Sequence, residues 1–216
     1  MTIQIVDTRI EDYLRDTFGG DHPVAAEMET EAEERGFPIV GRAVGVTLEA
    51  LAHAAGARRV LELGSGYGYS AYWFARAVGD GGEVHMTDGD ARNQDRAVEY
   101  LERAGLSDRV TPHVGNALEL IDELDGEFDV IFCDIDKEGY PEAWRKARER
   151  IRDGGLYLCD NVLWDGRVVT GEDREGMPGL VDAIRLHNSE IAGDERYRST
   201  IVPTRDGVMV AVRVRS

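Results

Sequence analysis

From Arg59 onward the chain alternates short apolar runs with helical stretches, and that alternation limits its fold more than any other feature. Runs of this kind suit the strands of a parallel sheet covered by helices on both faces. The candidate strands are Val60–Leu63, Val84–Thr87, Arg109–Val114, Phe128–Cys133 and Leu156–Cys159, with helices starting near Ser70, Ala91, Ala117 and Tyr140. A polar stretch, Asp165–Gly176, precedes a helix over Leu180–Ile191, and two more apolar runs follow at Ser199–Val202 and Val208–Val214. Arg205-Asp206-Gly207 between those runs is too short for a right-handed crossover, so the spacing predicts an antiparallel hairpin. The expected fold is α/β: a doubly wound, mostly parallel, seven-stranded Rossmann-like sheet closed by a C-terminal hairpin.

The first 57 residues read instead as helices. Ile5, Val6, Ile10, Tyr13, Leu14 and Phe18 fall near helical spacing before Gly19-Gly20, and a second helix begins after Asp21 with Pro23 in its first turn and stops at Gly36. This second segment carries Glu27, Glu29, Glu31, Glu33 and Glu34, a run that predicts a solvated face. After Phe37-Pro38, a third amphipathic helix is marked by Val44, Leu48, Leu51 and Ala55 and ends at Gly56. At 216 residues, the chain is expected to be one domain with residues 1–57 as a helical extension.

Chemistry first shows in VLELGSGYGYS, which puts Gly64, Gly66 and Gly68 between the first strand and a helix. Glycines there let the backbone approach a ligand, and the helix start offers free N–H groups to an anion. A dinucleotide fingerprint, as in an NAD-dependent oxidoreductase, needs glycine at position 69, where this chain has Tyr69. The spacing from Glu62 is ExGxGxG, which resembles the first motif of class I methyltransferases, binders of S-adenosylmethionine. Asp88, followed by Gly89, ends the second strand, where an acid can accept hydrogen bonds from ribose hydroxyls of either cofactor. Asn116, in Gly115-Asn116-Ala117, can face an adenine or cap the next helix.

The fourth and fifth strands end in FCDIDKEGY and CDNVLW. If they are neighbours, Asp134, Asp160 and Asn161 converge at the carboxyl edge, the ligand-binding edge of such a sheet. Three oxygen donors without His or Cys suit a hard cation such as Mg²⁺, Mn²⁺ or Ca²⁺; Asp-Asn after a strand is equally a common turn.

LELGSGYGYS, CDIDKEGY and GGLYLCDNVLWDGRV together resemble the cation-dependent O-methyltransferases, the family of catechol and caffeoyl-coenzyme A O-methyltransferases, from about Phe37 to Val212. The resemblance implies Asp134, Asp160 and Asn161 as metal ligands and Lys137 as general base. It places Val40, Glu62, Gly64, Gly66, Ser70, Asp88, Gly89, Asn116, Ala117, Asp134 and Asp136 around S-adenosylmethionine, with Lys137 and Trp164 beside a phenolic substrate. It also implies a homodimer. The chemistry is coherent: a sulfonium methyl needs an oxyanion aimed at it, and a phenol with pKa about 10 is the wrong species at neutral pH. A cation and a lysine would together remove that proton, a task for which arginine is unsuited. Relatives often carry a basic residue near the substrate entrance where this chain has Val44, so coenzyme A thioesters are less favoured acceptors, with Arg42 and Arg167 as possible compensation. A non-catalytic S-adenosylmethionine-binding module is the rival reading from outside the enzymes.

The composition narrows the partners. Forty-two acids against 25 bases give a net charge of −17, a poor match for nucleic acid or an anionic membrane. Only Lys137 and Lys146 are lysines; the other bases are arginines. Such a surface resembles proteins of salt-loving organisms, where molar salt shortens the Debye length to about 3 Å; a GC-rich genome favouring Arg codons is the alternative. No apolar run reaches membrane-helix length and the first residues do not read as a signal peptide, so the cytoplasm is expected. Cys133 and Cys159 fit a reducing compartment as buried small hydrophobes facing away from Asp134 and Asp160.

Overall fold

The computed structural model describes residues 3, 5–18 and 20–215. Seven strands form one sheet in the order β3-β2-β1-β4-β5-β7-β6: β1 (Arg59–Leu63), β2 (Glu83–Asp88), β3 (Val110–Val114), β4 (Phe128–Cys133), β5 (Ile151–Cys159), β6 (Tyr197–Val202) and β7 (Val208–Arg213). The first five are parallel, and β7 runs antiparallel between β5 and β6. The strand order reverses between β1 and β4, which opens a crevice at their carboxyl ends.

Side chains alternate across the sheet. Val60, Val84, Val130, Phe132 and Leu158 enter one core with Val44 and Leu48 of α3 (Arg42–Ala54) and Trp73 and Phe74 of α4 (Tyr69–Val78). Leu61, Leu63, Ile131 and Tyr157 enter the other, against Trp144 of α7 (Tyr140–Ala147) and Ile184 of α9 (Leu180–Gly193). Cys133 and Cys159 are buried free thiols in this second core, in register on β4 and β5. The remaining helices are α1 (Thr8–Phe18), α2 (Pro23–Arg35), α5 (Ala91–Arg103), α6 (Ala117–Glu123) and the short α8 (Arg167–Thr170).

Several local expectations need correction. Ile5 and Val6 precede α1, which buries none of its residues; Gly19 lies outside the described residues. Arg109 belongs to a 3₁₀ turn, Ser107–Arg109, before β3. β5 starts at Ile151, five residues before the expected Leu156, because the pairing with β4 shifts between Phe128 and Val130: the irregularity carries the strand through Arg152-Asp153-Gly154-Gly155. The β6–β7 connection spans residues 203–207. The acidic run of α2 is not merely solvated: Glu27 pairs with Arg103, Glu29 with Arg42 and Glu31 with Arg96, clamping the helix to α5 and α3. Arg96 holds the Glu31 carboxyl down at about 2.

Candidate active site

The glycine loop leaves β1 at the crevice. Gly64 has φ 83°, and a Cβ there would lie 2.5 Å from the carbonyl oxygen of Asp134, so β1 and β4 close together only without a side chain. Gly68, φ 87°, packs as tightly on Ala97 of α5. The loop is held from several sides: Ser65 N–H donates to the Thr87 carbonyl (2.8 Å), Gln94 Nε2 to Ser65 Oγ (2.8 Å), Tyr67 OH to the Met28 carbonyl (2.8 Å) and Tyr69 OH to Glu29.

One cavity of about 1340 Å³ follows the sheet edge, large enough for a cofactor and a second ligand. Its wall brings together Val40, Gly64, Gly66, Ser70, Asp88, Gly89, Asn116, Ala117, Asp134, Asp136, Lys137, Asp160, Asn161 and Trp164. Glu62 is the exception among the residues expected there; it lies behind the loop, wholly buried, and neither carboxylate oxygen has a hydrogen-bond partner. Burial pushes its carboxyl up to about 8, against an opposing pull from Ser70. Asp88 Oδ1 accepts from Asp90 N–H (2.8 Å) and Asn93 Nδ2 (3.1 Å), which leaves Oδ2 for a ligand. Asn116 Oδ1 caps α6 through Leu118 N–H (2.9 Å), so only its amide nitrogen remains to face a base.

At the other end Lys137 gathers the carboxyl-edge residues. Its Nζ donates to Asn161 Oδ1 (2.9 Å), Asp134 Oδ1 (3.3 Å) and the Ile135 carbonyl (3.3 Å), 4.8 Å from the Tyr140 ring centre. Asp160 is 1% exposed, held through its backbone carbonyl by Tyr140 OH (2.8 Å), and its Oδ1 has no partner. Burial, reinforced by the charge of Asp134, pushes the Asp160 carboxyl up to about 7. Among the described residues no three His, Cys, Asp or Glu side chains gather as a metal group; this cluster offers two carboxylates and an amide.

All four described non-glycine residues with left-handed backbone line this cavity: Asn161 (φ 57°), Trp164 (48°), Asp165 (53°) and Arg205 (52°). Strain of this kind, of order 1–3 kcal/mol per residue, persists where the surroundings fix it, and it gathers at functional sites. Trp164 has Arg174 stacked 4.7 Å from its ring centre, with Lys137 Nζ at 5.7 Å.

Sequence reasoning missed Arg174, Met177, Arg205 and the segment Ile3, Ile5 and Val6, all of which line the cavity. A polar loop, a hairpin turn and a presumed helix carried no signal for them. The entrance residues expected from the resemblance are elsewhere. Val44 is fully buried in the core, Arg42 is held in two bonds by Glu29 (2.8 and 3.0 Å), and Arg167 donates to the carbonyls of Glu172 and Asp173 (both 3.1 Å).

Residues 18–214 match a family model described as O-methyltransferase. The chain is 30% identical over 223 residues to a catechol O-methyltransferase of Niastella koreensis, covering 98% of this chain and 99% of the relative. It is 30% identical over 178 residues to caffeoyl-CoA O-methyltransferase 1 of Eucalyptus globulus, covering 79% and 72%. Among solved structures, an O-methyltransferase from Bacillus cereus in complex with SAH superposes with a TM-score of 0.85 at 29% identity, over 95% of this chain and 97% of that one.

Proposed function

The chain belongs to the O-methyltransferase family and is an S-adenosylmethionine-dependent O-methyltransferase, and we propose that it methylates one hydroxyl of a catechol-like small molecule with the help of a divalent cation. The supporting observation is the convergence of Lys137, Asp134, Asn161 and the unpartnered Asp160 oxygen in the same cavity as the glycine loop. In this reading the cofactor lies along Val40, Gly64, Gly66, Ser70, Asp88, Gly89, Asn116, Ala117 and Asp136, with the free Asp88 oxygen on the ribose.

Lys137 acts as the base. Its Nζ takes the phenolic proton and becomes an ammonium, which leaves the acceptor oxygen as the nucleophile; S-adenosylmethionine, when bound, would supply the electrophilic methyl and depart as S-adenosylhomocysteine. Trp164 borders the acceptor ring. The donor set fits a hard cation such as Mg²⁺, Mn²⁺ or Ca²⁺, because Asp160 Oδ1 is buried with no other partner and Asp134 and Asn161 bring two more oxygens. A bound cation would supply positive charge that makes the acceptor hydroxyl more acidic.

Methyl transfer from labelled S-adenosylmethionine to a panel of catechols, with Mg²⁺ or with chelator, tests the reading. Transfer that vanishes with chelator is expected; chelator-insensitive transfer would remove the cation, and transfer only to isolated hydroxyls would remove the vicinal diphenol. The proposal extends to a homodimer that covers Ile10, Tyr13 and Phe18, exposed on α1, and to a salt-rich cytoplasm free of nucleic-acid or membrane partners. Among the described residues no helix is long and apolar enough to cross a membrane.

A further inference from the structure

Among the described residues three cations line the cavity. Lys137 pairs with Asp134 and Arg174 with Asp165. Among the described residues Arg205 forms no ion pair with a carboxylate, and its one hydrogen bond there runs from Nη1 to the backbone carbonyl of Ile39. A guanidinium has five N–H donors in a planar fork that matches a carboxylate, so most of this group is unspent.

Arg205 is also held in place at a conformational cost. Its φ of 52° disfavours any side chain with a Cβ, and the turn that imposes it is fastened to the segment after β5. Leu163 N–H donates to the Asp206 carbonyl (2.9 Å), Val162 N–H to the Gly207 carbonyl (3.1 Å) and Asp165 N–H to Asp206 Oδ1 (2.5 Å). Asp134 and Asp165 have their own cations, and Asp206 Oδ1 accepts from the Asp165 amide, so none of these three carboxylates is hydrogen-bonded to Arg205. Glu11 and Glu138 reach the cavity from other elements. Arg205 lines the same cavity as Asp160, Lys137 and Trp164, and the bonds from its turn to residues 162–165 fix it on the wall beside the segment that follows Asp160 and Asn161.

Resting on the acceptor site proposed above, we propose that Arg205 binds a carboxylate carried by the acceptor, so that the enzyme selects catechol-type acids over their neutral esters and over amines. Neither Arg42 nor Arg167 lines the cavity to share this task.

The test measures binding of 3-(3,4-dihydroxyphenyl)propanoate, its methyl ester and the amine analogue to the SAH-loaded protein with Mg²⁺, by calorimetry. One charge-assisted pair predicts about tenfold tighter binding of the acid than of the ester. Arg205→Gln should bring that ratio close to one, and Arg205→Lys should retain part of it, with melting curves showing both variants folded. Equal binding of acid and ester by the unaltered protein, a preference that survives Arg205→Gln, tightest binding of the amine, or no binding of any of the three would overturn the proposal. Turnover is scored separately: acid-selective binding without methyl transfer would overturn the catalytic reading alone, and transfer without selectivity would overturn this one alone.

Discussion

Replacing Lys137 with methionine keeps an unbranched side chain out to Cε, with sulfur at the δ position, and removes the amine. Three hydrogen bonds disappear, of 2.9 Å to Asn161 Oδ1 and 3.3 Å each to Asp134 Oδ1 and the Ile135 carbonyl. If Nζ takes the phenolic proton, kcat should fall by about 10²–10⁴-fold, the usual worth of a positioned general base. The stability cost is small by comparison. Asp134, whose side chain is 27% exposed, loses a partner that water partly replaces, which is worth about 1 kcal/mol or about 2–4 °C in melting temperature for a chain of this size. Cofactor affinity should change less than about threefold, because Lys137 has no hydrogen bond to the glycine loop. Lys137→Arg should be as slow as the methionine variant, since a guanidinium does not give up its proton at these pH values. The assay is single-turnover methyl transfer beside calorimetric binding of S-adenosylhomocysteine. A kcat within threefold of the unaltered enzyme, or a rate loss matched by an equal loss of cofactor affinity, would refute the assignment and leave Lys137 as a structural cation.

Asp160→Ala should abolish Mg²⁺-stimulated transfer while the protein still melts cooperatively; stimulation by Mg²⁺ that persists in the variant would show that the cation binds elsewhere. Gly45→Ala would place a Cβ 2.2 Å from Trp73 Nε1, in a fully buried helix contact, so it should destabilise by about 3 kcal/mol and lower the melting temperature by about 6–12 °C. Burial holds the His187 imidazole down at about 4 from an ordinary 6.5, so the folded protein binds fewer protons than the unfolded chain between those values. Its contribution of about 3 kcal/mol is intact above pH 6.5 and is lost as pH falls towards 4, and a denaturation series in which His187→Gln keeps the same slope would contradict this. With a net charge of −17, the melting temperature should rise between dilute buffer and about 2 M KCl, where self-repulsion is screened; a flat or falling curve would dispose of the high-salt reading.

The parallel core and its carboxyl edge were legible because both depend on local pattern. Apolar runs such as Phe128–Cys133 must be buried on two faces, and a polar residue directly after such a run has to stand at the strand end. That logic places Asp88, Asp134 and Asp160 from the sequence alone. What was not legible depends on long-range partners. The pairing of Glu27, Glu29 and Glu31 needs Arg103, Arg42 and Arg96, residues 13 to 76 positions away, and nothing local separates a clamped acid from a solvated one. Arg205 reads as an ordinary turn residue until β7 is seen to insert between β5 and β6, which sets the turn beside residues 162–165. Ile5 and Val6 satisfy a helical period, yet they lie before α1 and against the cavity.

Helices α2 and α3 therefore help to hold the glycine loop. Tyr67 and Tyr69, alternate residues of the glycine loop, reach the consecutive residues Met28 and Glu29 on α2, and Phe37, just past that helix, packs edge-on to Tyr67 with ring centres 4.9 Å apart. A Cβ at Gly66 would sit 3.0 Å from the Phe37 ring, so the loop also fits closely against this segment, though less tightly than Gly64 fits Asp134. Glu29 is shared with Arg42 of α3, which ties the start of that helix into the same network. Glycines let the loop approach a ligand but do not fix its shape, because each left-handed glycine has several accessible conformations. The fixing comes from α2 and the Phe37–Val40 segment. The tyrosine at position 69, which breaks a dinucleotide fingerprint, is one of the residues through which it is done.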